Sequence, residues 1–491
     1  MEHRRAQTHR QALVVALMAL ALQGCSQAGQ LVGRAPAPLP MPAGIAVAFN
    51  HRADAHYRSP IHGGQRAGDD LEALLLQTIR SARRELLVAV QELSLPQVAR
   101  ALVEQHHRGL RVQVVLENTY SQPWSQQHEA ELSPHLRQRR RQLMALADRN
   151  RDGQLSAEER EQGDAVALLL RGGVPLLDDS ADGSRGSALM HSKFLVADRR
   201  VVVTGSANFT PSCIHGDPDD RRTRGNVNHL LRLESPALAA LFAGEFQRLW
   251  GDGPGGALDS RFGLAKGSGA PSTVLVGNTP VTVLFAPHRR RDGNGGLSLI
   301  ANTLATAERR VDLALFVLSA QPLTGVIAEL QQRGVTLRLL ADPGFASRPF
   351  SEVLDLLGVA LADRHCKHEA GNQPLQQPSE GVGIPRLPGG DKLHHKFAVI
   401  DNRTVITGSF NWSPSAAHQN DEVLLVIESP LLAAHFTREM DRLWRGAELG
   451  ITERLARKLT ANRRRCGSGV QREPPTVGIH QRRVAATPNR P

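Results

Sequence analysis

Two segments of this 491-residue sequence place a histidine and a lysine two residues apart inside apolar runs. His191 and Lys193 lie in ALMHSKFLVADRR, and His394 and Lys396 lie in KLHHKFAVIDNRT. Residues i and i+2 of a strand point to the same side, so each segment is expected to present an imidazole and an ammonium together. His395 has the opposite parity and is predicted to lie off this face.

Each segment is followed by a Gly-Ser-x-Asn sequence, whose asparagine comes 17 residues after the histidine. The asparagines are Asn208 and Asn411, and the serines are Ser206 and Ser409. A Gly-Ser step lets backbone approach a ligand closely, and an Asn amide is a neutral donor to an anionic oxygen. We therefore expect these four residues, with the two lysines, to bind an anionic substrate.

The chemistry that uses two such sets is cleavage of a phosphodiester. One imidazole can attack phosphorus and form a phosphohistidine, while the other protonates the leaving alkoxide and later activates water. Two lysines and two asparagines can stabilise the transition-state charge without a metal. No cofactor is therefore predicted for catalysis, and each half of the chain is predicted to contribute one histidine and one lysine to a shared site.

The sequence around the motifs is also duplicated. TIRSARRELLVAVQEL and ALVEQHHRGLRVQVVLEN in the first half correspond to TLATAERRVDLALFVL and VIAELQQRGVTLRLLAD in the second. Their apolar spacing predicts helix, strand, helix, strand in each half. Alternating helices and strands indicate an α/β fold, and the duplication indicates two similar lobes about a pseudo-twofold axis.

H-x-K-x4-D followed by G-S-x-N, present twice, resembles the phospholipase D superfamily over residues 46–446. The resemblance implies two α/β lobes, each a mixed sheet sandwiched by helices, with the active site at their pseudo-twofold interface. It also implies that His191 is the nucleophile and His394 the general acid. Asp198 and Asp401 complete the signatures and join the candidate catalytic set, although each opens a turn in which it can hold backbone N–H groups.

The resemblance further implies that a downstream acid orients each histidine. Glu422 is that acid in the second half, whereas Asn228 takes the same position in the first. An amide can orient an imidazole but cannot stabilise an imidazolium as a carboxylate does. This departure predicts either weaker activity or exchanged roles for the two histidines.

The first half carries 22 extra residues, and this insert contains DRNRDGQLSAEE at 148–159. The segment resembles an EF-hand loop and its flanks read as helices, so the insert, about 134–170, is predicted to bind Ca²⁺ in a structural or regulatory role. The ligand positions are held by Asp148, Asn150, Asp152, Gln154 through its carbonyl, Ser156 and Glu159. A polar turn between two helices is the alternative.

The N-terminus has the pattern of a secretory signal, with arginines before an apolar run at 12–22. The following LQGC resembles a bacterial lipobox, which predicts a signal over 1–25, lipidation of Cys25 and a flexible tether over 26–45. An ordinary cleaved signal or a short anchor is the alternative. The protein is thus predicted to be exported and membrane-anchored, on the periplasmic or outer-surface side.

The remaining organisation follows from composition. The halves are predicted at 46–252 and 276–446, joined by a Gly-rich linker at 253–275 and followed by a basic, disordered tail at 447–491. Beyond Cys25 there are three cysteines, which allow at most one disulfide that the sequence does not choose.

The formal net charge of +11 favours anionic partners. The expected reaction is hydrolysis of phospholipid head-group phosphodiesters to phosphatidic acid, because an anchored enzyme meets lipid head groups at high effective concentration. A metal-independent endonuclease of the same superfamily is an alternative that suits the charge, although aromatic residues are only 4% and form no stacking stripe. A calcium-binding protein with an inactive site is the other alternative. No protein partner is inferred.

Overall fold

The computed structural model contains two large mixed β-sheets, one from each half of the chain. It describes residues 37–180, 188–257 and 259–467, and those from Leu39 onward belong to one compact unit. The predicted signal with Cys25, residues 26–36 of the predicted tether and residues 468–491 lie outside the described residues.

The first sheet has seven strands in the order β1-β9-β8-β7-β4-β5-β6. Strand β4 is parallel to β5 and antiparallel to β7, which makes the sheet mixed. Strands β2 and β3 form a separate hairpin. The strands are β1 Ile45–Phe49, β2 His56–Arg58, β3 Gln65–Ala67, β4 Glu85–Val90, β5 Arg111–Leu116, β6 Leu176–Asp178, β7 Lys193–Ala197, β8 Val201–Gly205 and β9 His229–Glu234.

The second sheet has nine strands in the order β10-β11-β17-β16-β15-β12-β13-β14-β18. Its strands from β11 to β14 in this order repeat the seven of the first sheet, which confirms the two similar lobes. The strands are β10 Ser272–Val276, β11 Thr279–Ala286, β12 Arg310–Leu315, β13 Thr336–Ala341, β14 Val382–Ile384, β15 Lys396–Ile400, β16 Thr404–Gly408, β17 Glu422–Glu428 and β18 Glu448–Leu449.

Helices cover both faces of each sheet. In the first half they are α1 Leu71–Ser81, α2 Pro96–His107, α3 Pro134–Ala147, α4 Ala157–Gly163, α5 Ala165–Arg171, α6 Pro211–Ile214 and α7 Pro236–Trp250. In the second half they are α8 Gly296–Ala305, α9 Gln321–Gln332, α10 Glu352–Leu356, α11 Pro414–His418, α12 Pro430–Trp444 and α13 Glu453–Cys466. Within the described ranges, every helix is too short or too polar to span a bilayer.

Three apolar cores explain how the lobes are held. One core lies between the lobes, where α7 and α12 pack with residues of both sheets, among them Phe194 and Phe397. The other two lie on the far face of each sheet, under α1, α2 and α5 in the first lobe and under α8 to α10 in the second. Each sheet is therefore sandwiched by helices, as the resemblance implied. Burial of a continuous apolar surface between the sheets favours a fixed lobe arrangement.

The prediction of disorder from residue 447 is wrong for the described part of that segment. Helix α13 covers Glu453–Cys466, with Thr452 as its N-cap. Leu455 and Leu459, four residues apart, lie on one helix face and are buried in the core of the second lobe. The arginine content suggested a solvated chain, but two leucines on one face suffice to dock the helix. A disulfide from Cys466 to Cys366 fixes its end.

Candidate active site

The two H-x-K segments meet because the chain segments before four strands pair across the lobes. Met190, before β7, forms a parallel bridge with Asp421, before β17. Val227, before β9, forms the same bridge with Leu393, before β15. The amide of His191 donates to the carbonyl of Asp421 at 3.0 Å, and the amide of His394 donates to that of Val227 at 3.0 Å. Each histidine backbone is thus held by the opposite lobe.

The same crossing exchanges the residues that orient the imidazoles. His191 Nδ1 is 2.8 Å from Glu422 Oε2, and His394 Nδ1 is 2.9 Å from Asn228 Oδ1. The prediction that each downstream residue orients the histidine of its own half is therefore wrong. Because each H-x-K segment lies beside the other lobe's last sheet strand, the acid that was expected to serve His394 serves His191.

The hydrogen bonds also fix which ring nitrogen carries the proton. The Asn228 amide nitrogen donates to the carbonyls of Cys213 and Asn226, at 2.9 and 3.0 Å, so its oxygen must accept from His394. The Glu422 carboxylate likewise accepts from His191. In both neutral rings Nδ1 carries the hydrogen and Nε2 keeps a free lone pair, which is the form that a nucleophile or a proton carrier requires.

The serines of the two Gly-Ser steps hold these orienting residues. Ser206 Oγ donates to Asn228 Oδ1 at 2.8 Å, and Ser409 Oγ donates to Glu422 Oε2 at 2.6 Å. Both serines have no exposed surface. Their predicted role in substrate binding is therefore corrected to positioning, because their hydroxyls are used by the groups that orient the histidines.

Gly408, the glycine of the second Gly-Ser step, lies against strand β17. The sequence had predicted close approach of a ligand at this position. Gly408 has a φ of +130°, and a Cβ atom there would lie 2.2 Å from the carbonyl oxygen of Val423. A side chain at this position would separate strands β16 and β17. The glycine thus permits close strand packing at the end of β16, where Ser409 reaches Glu422.

The two lysines lie fully inside the interface. Lys193 Nζ donates to the carbonyl of His191 at 2.6 Å, and Lys396 Nζ donates to that of His394 at 2.8 Å. Burial lowers the pKa of Lys193 to about 8. Burial and the charge of Lys193 hold the pKa of Lys396 well below its ordinary value. An anion that entered the site would restore the positive charge that burial disfavours.

Burial also keeps both imidazoles neutral. It lowers the pKa of His191 to about 4, against the opposing effect of the Glu422 carboxylate. The pKa of His394 lies well below its ordinary value because of burial, followed by the charges of Lys396, Lys193 and His191. These mutual effects agree with the shared site that the backbone pairing between the lobes forms.

The two sides of the site differ in the residue that follows two corresponding strands, β4 in the first lobe and β12 in the second. On the first side Gln91 Oε1 accepts from Asn208 Nδ2 at 3.1 Å and from Lys193 Nζ at 3.4 Å. On the second side Phe316 replaces it, with its ring centroid 4.7 Å from that of His394 and 4.9 Å from Lys396 Nζ. Gln91 and Phe316 were not predicted from the sequence, although alignment of the two repeats places the glutamine opposite the phenylalanine.

The side-chain oxygens of Asn208 and Asn411 are buried without a hydrogen-bond partner. The amide of Asn208 is held by Gln91, whereas Phe316 offers no acceptor at the corresponding place on the second side. Buried polar atoms without partners are costly in a folded protein. Both asparagines therefore remain candidates for contact with substrate.

The motif aspartates lie away from this chemistry. The carboxylate of Asp198 accepts from the amides of Arg83, Arg84 and Glu85, which closes the segment between α1 and β4. Asp401 does the same between α8 and β12. The expected contact with backbone N–H groups is confirmed, and their place in the catalytic set is corrected to a structural one.

A second buried histidine pair lies behind the catalytic one. His229 Nδ1 is 3.0 Å from His395 Nδ1, and His395 Nε2 is 3.0 Å from Glu439 Oε1. His229 Nε2 is 2.6 Å from the hydroxyl of Thr407 in the other lobe. His395 was correctly predicted to lie off the catalytic face, but it belongs to a polar network between the lobes. The sequence indicated this through the position of His395 between His394 and Lys396, which turns its side chain to the opposite side of the strand.

The insert forms one wall of the cleft that leads to the site. A cavity of about 270 Å³ is lined by His394, Phe316 and Asn208, and on the insert side by residues of α3. Of these, Arg139 Nε donates to Glu92 Oε1 at 2.6 Å, and its guanidinium lies 5.1 Å from the ring centroid of Tyr120. Sequence reasoning did not connect the insert with the active site, because α3 is distant from both motifs along the chain.

The predicted calcium loop connects α3 to α4, so the helix–loop–helix order is confirmed. Within it Asp148 Oδ2 accepts from the amide of Gly153 at 3.0 Å, while Asp148 Oδ1 is buried without a partner. Both oxygens of Glu159 accept bonds from loop amides, including those of Arg149 and Ser156. Among the described residues, no group of three or more His, Cys, Asp or Glu side chains is arranged to hold a metal ion.

Comparison with known proteins identifies relatives of both halves. Residues 75–250 and 300–444 match the family described as cardiolipin synthase, PLD-like domain. The chain is 30% identical over 148 residues to mitochondrial cardiolipin hydrolase of Chlamydomonas reinhardtii, which covers 30% of this chain and 57% of that protein. It is 31% identical over 142 residues to phospholipase D of Rickettsia felis, which covers 29% of this chain and 60% of that protein.

One solved structure is similar over most of the chain. It is phosphatidylserine synthase of Haemophilus influenzae, with a TM-score of 0.50, 13% identity, and coverage of 84% of this chain and 89% of that one. At this identity the likeness shows the two-lobed fold alone. The matched segments span 57% and 60% of the two curated relatives above, so the likeness to them also covers only part of each protein.

Proposed function

Because this chain belongs to the family described as cardiolipin synthase, PLD-like domain, we propose that it hydrolyses the head-group phosphodiester of a phospholipid and releases phosphatidic acid. The observation that carries this proposal is the pair of buried imidazoles, each oriented through Nδ1 by the opposite lobe. Such a pair supplies a nucleophile and a proton carrier to one phosphorus atom.

In the first step, Nε2 of His191 attacks phosphorus and the bond from phosphorus to the head-group oxygen breaks. His394 in its protonated form gives its Nε2 proton to that oxygen, so the alcohol leaves neutral. The lysines and asparagines stabilise the extra negative charge on the phosphoryl oxygens. In the second step neutral His394 takes a proton from water, which attacks phosphorus and releases His191 and phosphatidic acid.

The exchanged partners suit these two roles. A phosphorylated imidazole with hydrogen on Nδ1 is cationic, and the Glu422 carboxylate stabilises that charge on His191. The neutral Asn228 amide stabilises imidazolium less, which keeps protonated His394 a strong acid toward a departing alkoxide. The substrate phosphate is itself anionic and favours protonation of His394 when it binds. The replacement of one acid by an amide therefore supports His191 as nucleophile, and no exchange of roles is needed.

Phospholipid is the proposed substrate class for two reasons. The relatives reported above are a cardiolipin hydrolase and a phospholipase D. In addition, the His394 side of the site is apolar, since Phe316 contacts both the imidazole and Lys396. Glycerol and acyl carbons can pack against this aromatic wall.

The test is incubation of purified protein with mixed phospholipid vesicles and, separately, with single- and double-stranded DNA. We expect release of phosphatidic acid, and its loss in His191→Ala and in His394→Ala. His368→Ala, at an exposed histidine, is the matched control and should keep wild-type activity. DNA cleavage without lipid cleavage would replace the proposal by an endonuclease, and turnover of neither would favour a binding protein.

We propose that the loop of residues 148–159 binds Ca²⁺ in a structural or regulatory role. The buried, unpartnered Asp148 Oδ1 supports this, as do the oxygen donors Asn150, Asp152, Gln154, Ser156 and Glu159 in an otherwise polar loop. Bound calcium would supply charge neutralisation to these oxygens. Calorimetric titration with CaCl₂ should show one site that Glu159→Gln weakens, with Glu158→Gln as control. No heat of binding in wild type would refute the proposal, and EDTA should leave catalysis intact.

We also propose that the protein works outside the cytoplasm as a lipoprotein anchored through Cys25. The Cys366–Cys466 disulfide supports export, because such bonds persist in oxidising compartments. Cys25→Ser should abolish incorporation of labelled palmitate and move the protein from the detergent phase to the aqueous phase. Unchanged partition of that variant would refute lipidation at this residue.

A further inference from the structure

Helix α13 presents a strongly basic surface. It carries six basic residues against one acid, Glu453, in fourteen positions. Leu455 and Leu459 are buried under it. The exposed basic residues are Arg454, Arg457, Arg463, Arg464 and Arg465.

This helix is fixed in place along its length. Lys458 Nζ donates to Ser347 Oγ at 2.6 Å. Asn462 both accepts from the amide of Ala362, at 3.1 Å, and donates to its carbonyl, at 2.8 Å. The disulfide from Cys466 to Cys366 fixes the C-terminal end of the helix. The basic surface is therefore preorganised, so binding through it costs little conformational entropy.

The loop that Lys458 contacts, residues 343–350 between β13 and α10, carries an exposed aromatic side chain. Phe350 is 41% exposed, a large apolar group left in solvent. Arg348 beside it is also exposed and lies 6.0 Å from the ring centroid of Phe345. The bond from Lys458 to Ser347 joins helix and loop into one surface, and burial followed by the charges of Arg454 and Arg348 lowers the pKa of Lys458.

A row of aromatic rings leads from this surface to the active site. The centroid of Phe350 is 6.4 Å from that of Phe345, and Phe345 is 4.6 Å from Phe316. Phe316 in turn contacts His394 at 4.7 Å. Contacts between neighbouring rings thus run from the exposed Phe350 to the general acid, and Phe316 also lines the cavity at His394.

We propose that α13 and loop 343–350 together form a docking surface for an anionic lipid membrane, which delivers substrate along the aromatic row. The inference rests on the proposed phospholipase activity for the identity of the substrate, but membrane binding itself does not depend on catalysis. The arginines of this surface can contact anionic head groups, and the exposed Phe350 can insert among the adjoining acyl chains.

A membrane fits these observations better than a nucleic acid does. Phosphate contacts alone would account for the arginines, but they leave Phe350 exposed without a function. A base could stack on Phe350, yet the row behind it consists of phenylalanine rings and ends at the catalytic imidazole. That continuity suits acyl or glycerol carbons, which enter the protein together with their phosphate.

The first test measures binding of the full chain to sedimented vesicles, with phosphatidylcholine alone or with about 30 mol% phosphatidylglycerol. We expect preferential binding to the anionic vesicles. Each basic residue near such a surface is worth about fivefold in affinity, so Arg454→Glu/Arg457→Glu/Arg464→Glu should weaken binding by about 100-fold or more. Phe350→Ser should weaken binding to both compositions.

The matched control reverses three exposed arginines elsewhere, Arg289→Glu/Arg290→Glu/Arg291→Glu, with the same change of net charge. It should bind far better than the α13 triple variant. Equal loss in both variants would show a net-charge effect and overturn the proposed surface. Circular dichroism of each variant verifies that helix content is retained.

A second test separates docking from catalysis. With a soluble phosphodiester, bis(p-nitrophenyl) phosphate, the α13 triple variant should keep wild-type turnover while its hydrolysis of anionic vesicles falls. If wild type binds vesicles but cleaves no phosphodiester, the proposed activity fails and the docking surface stands. If the triple variant binds vesicles normally but loses affinity for single-stranded DNA, the surface serves nucleic acid and the lipid inference is wrong.

Discussion

Replacement of Glu422 by glutamine tests the exchanged orientation of the two histidines. The carboxylate is fully buried and accepts from His191 Nδ1 and from Ser409 Oγ, both through Oε2. A glutamine oxygen in the same place can accept both bonds. Glu422→Gln therefore removes the negative charge while the geometry of the imidazole is retained.

The expected magnitude follows from the loss of a charge-assisted hydrogen bond. Such a bond contributes about 1.5–3 kcal/mol, against about 1 kcal/mol for a neutral one. The difference, about 0.5–2 kcal/mol, is lost from the cationic phosphohistidine and its transition state, which lowers kcat/KM about 2-fold to 30-fold. Because Glu422 raises the pKa of His191 above what burial alone would give, the substitution also lowers that pKa further below about 4.

The assay is steady-state hydrolysis of bis(p-nitrophenyl) phosphate together with capture of the phosphohistidine by quenching in alkali, in which the N–P bond is stable. Glu428→Gln, at the exposed end of the same strand, is the matched control and should leave kcat/KM unchanged. Peptide mapping should locate the adduct on His191. Wild-type kcat/KM in Glu422→Gln, or an adduct on His394 in the wild-type enzyme, would refute the assignment of roles.

Three further predictions concern pH and stability. The kcat/KM for a soluble phosphodiester should fall as pH rises above about 4, because His394 must carry a proton that burial disfavours while His191 stays neutral, and it should fall more steeply above about 8, where Lys193 loses its charge; a flat profile between about pH 4 and about pH 9 would contradict this. Lys266→Met should lower the free energy of unfolding by about 3 kcal/mol in urea titration. It removes the ammonium group that lies 2.6 Å from the buried carboxylate of Asp421. Lys266→Arg, which keeps the charge, should recover part of that stability. Cys466→Ser should lower the free energy of unfolding by about 4 kcal/mol, since its disulfide closes a loop of 100 residues; an unchanged urea midpoint without reductant would exclude the crosslink.

Local sequence patterns were sufficient for most of the fold. The repeated segments predicted helix, strand, helix, strand in both halves, and the observed elements follow that order, α1-β4-α2-β5 in the first half and α8-β12-α9-β13 in the second. Binary patterns work here because each strand and helix buries one defined face. The same reasoning failed for α13, where high charge concealed the two leucines that dock it.

The sequence predicted most residues of the candidate site but not which of them contact one another. The two H-x-K pairs and both Gly-Ser-x-Asn asparagines were found from spacing alone, and the structure brings both H-x-K pairs into one interface. The roles of Ser206 and Ser409 were missed, because spacing does not reveal whether a hydroxyl faces substrate or a neighbouring side chain. Gln91 and Phe316 were missed because neither residue type suggests catalysis by itself.

Residue type and periodicity determined that this chain folds into two α/β lobes and that each lobe offers one imidazole and one ammonium. Tertiary structure alone decided that Glu422 serves His191 and Asn228 serves His394, and that α13 contacts loop 343–350 through Lys458 and Ser347. The reason is that parity and spacing report which face of its own strand or helix a residue occupies. Which partner lies opposite that face depends on how the two sheets pack, and that is set by the apolar core between them.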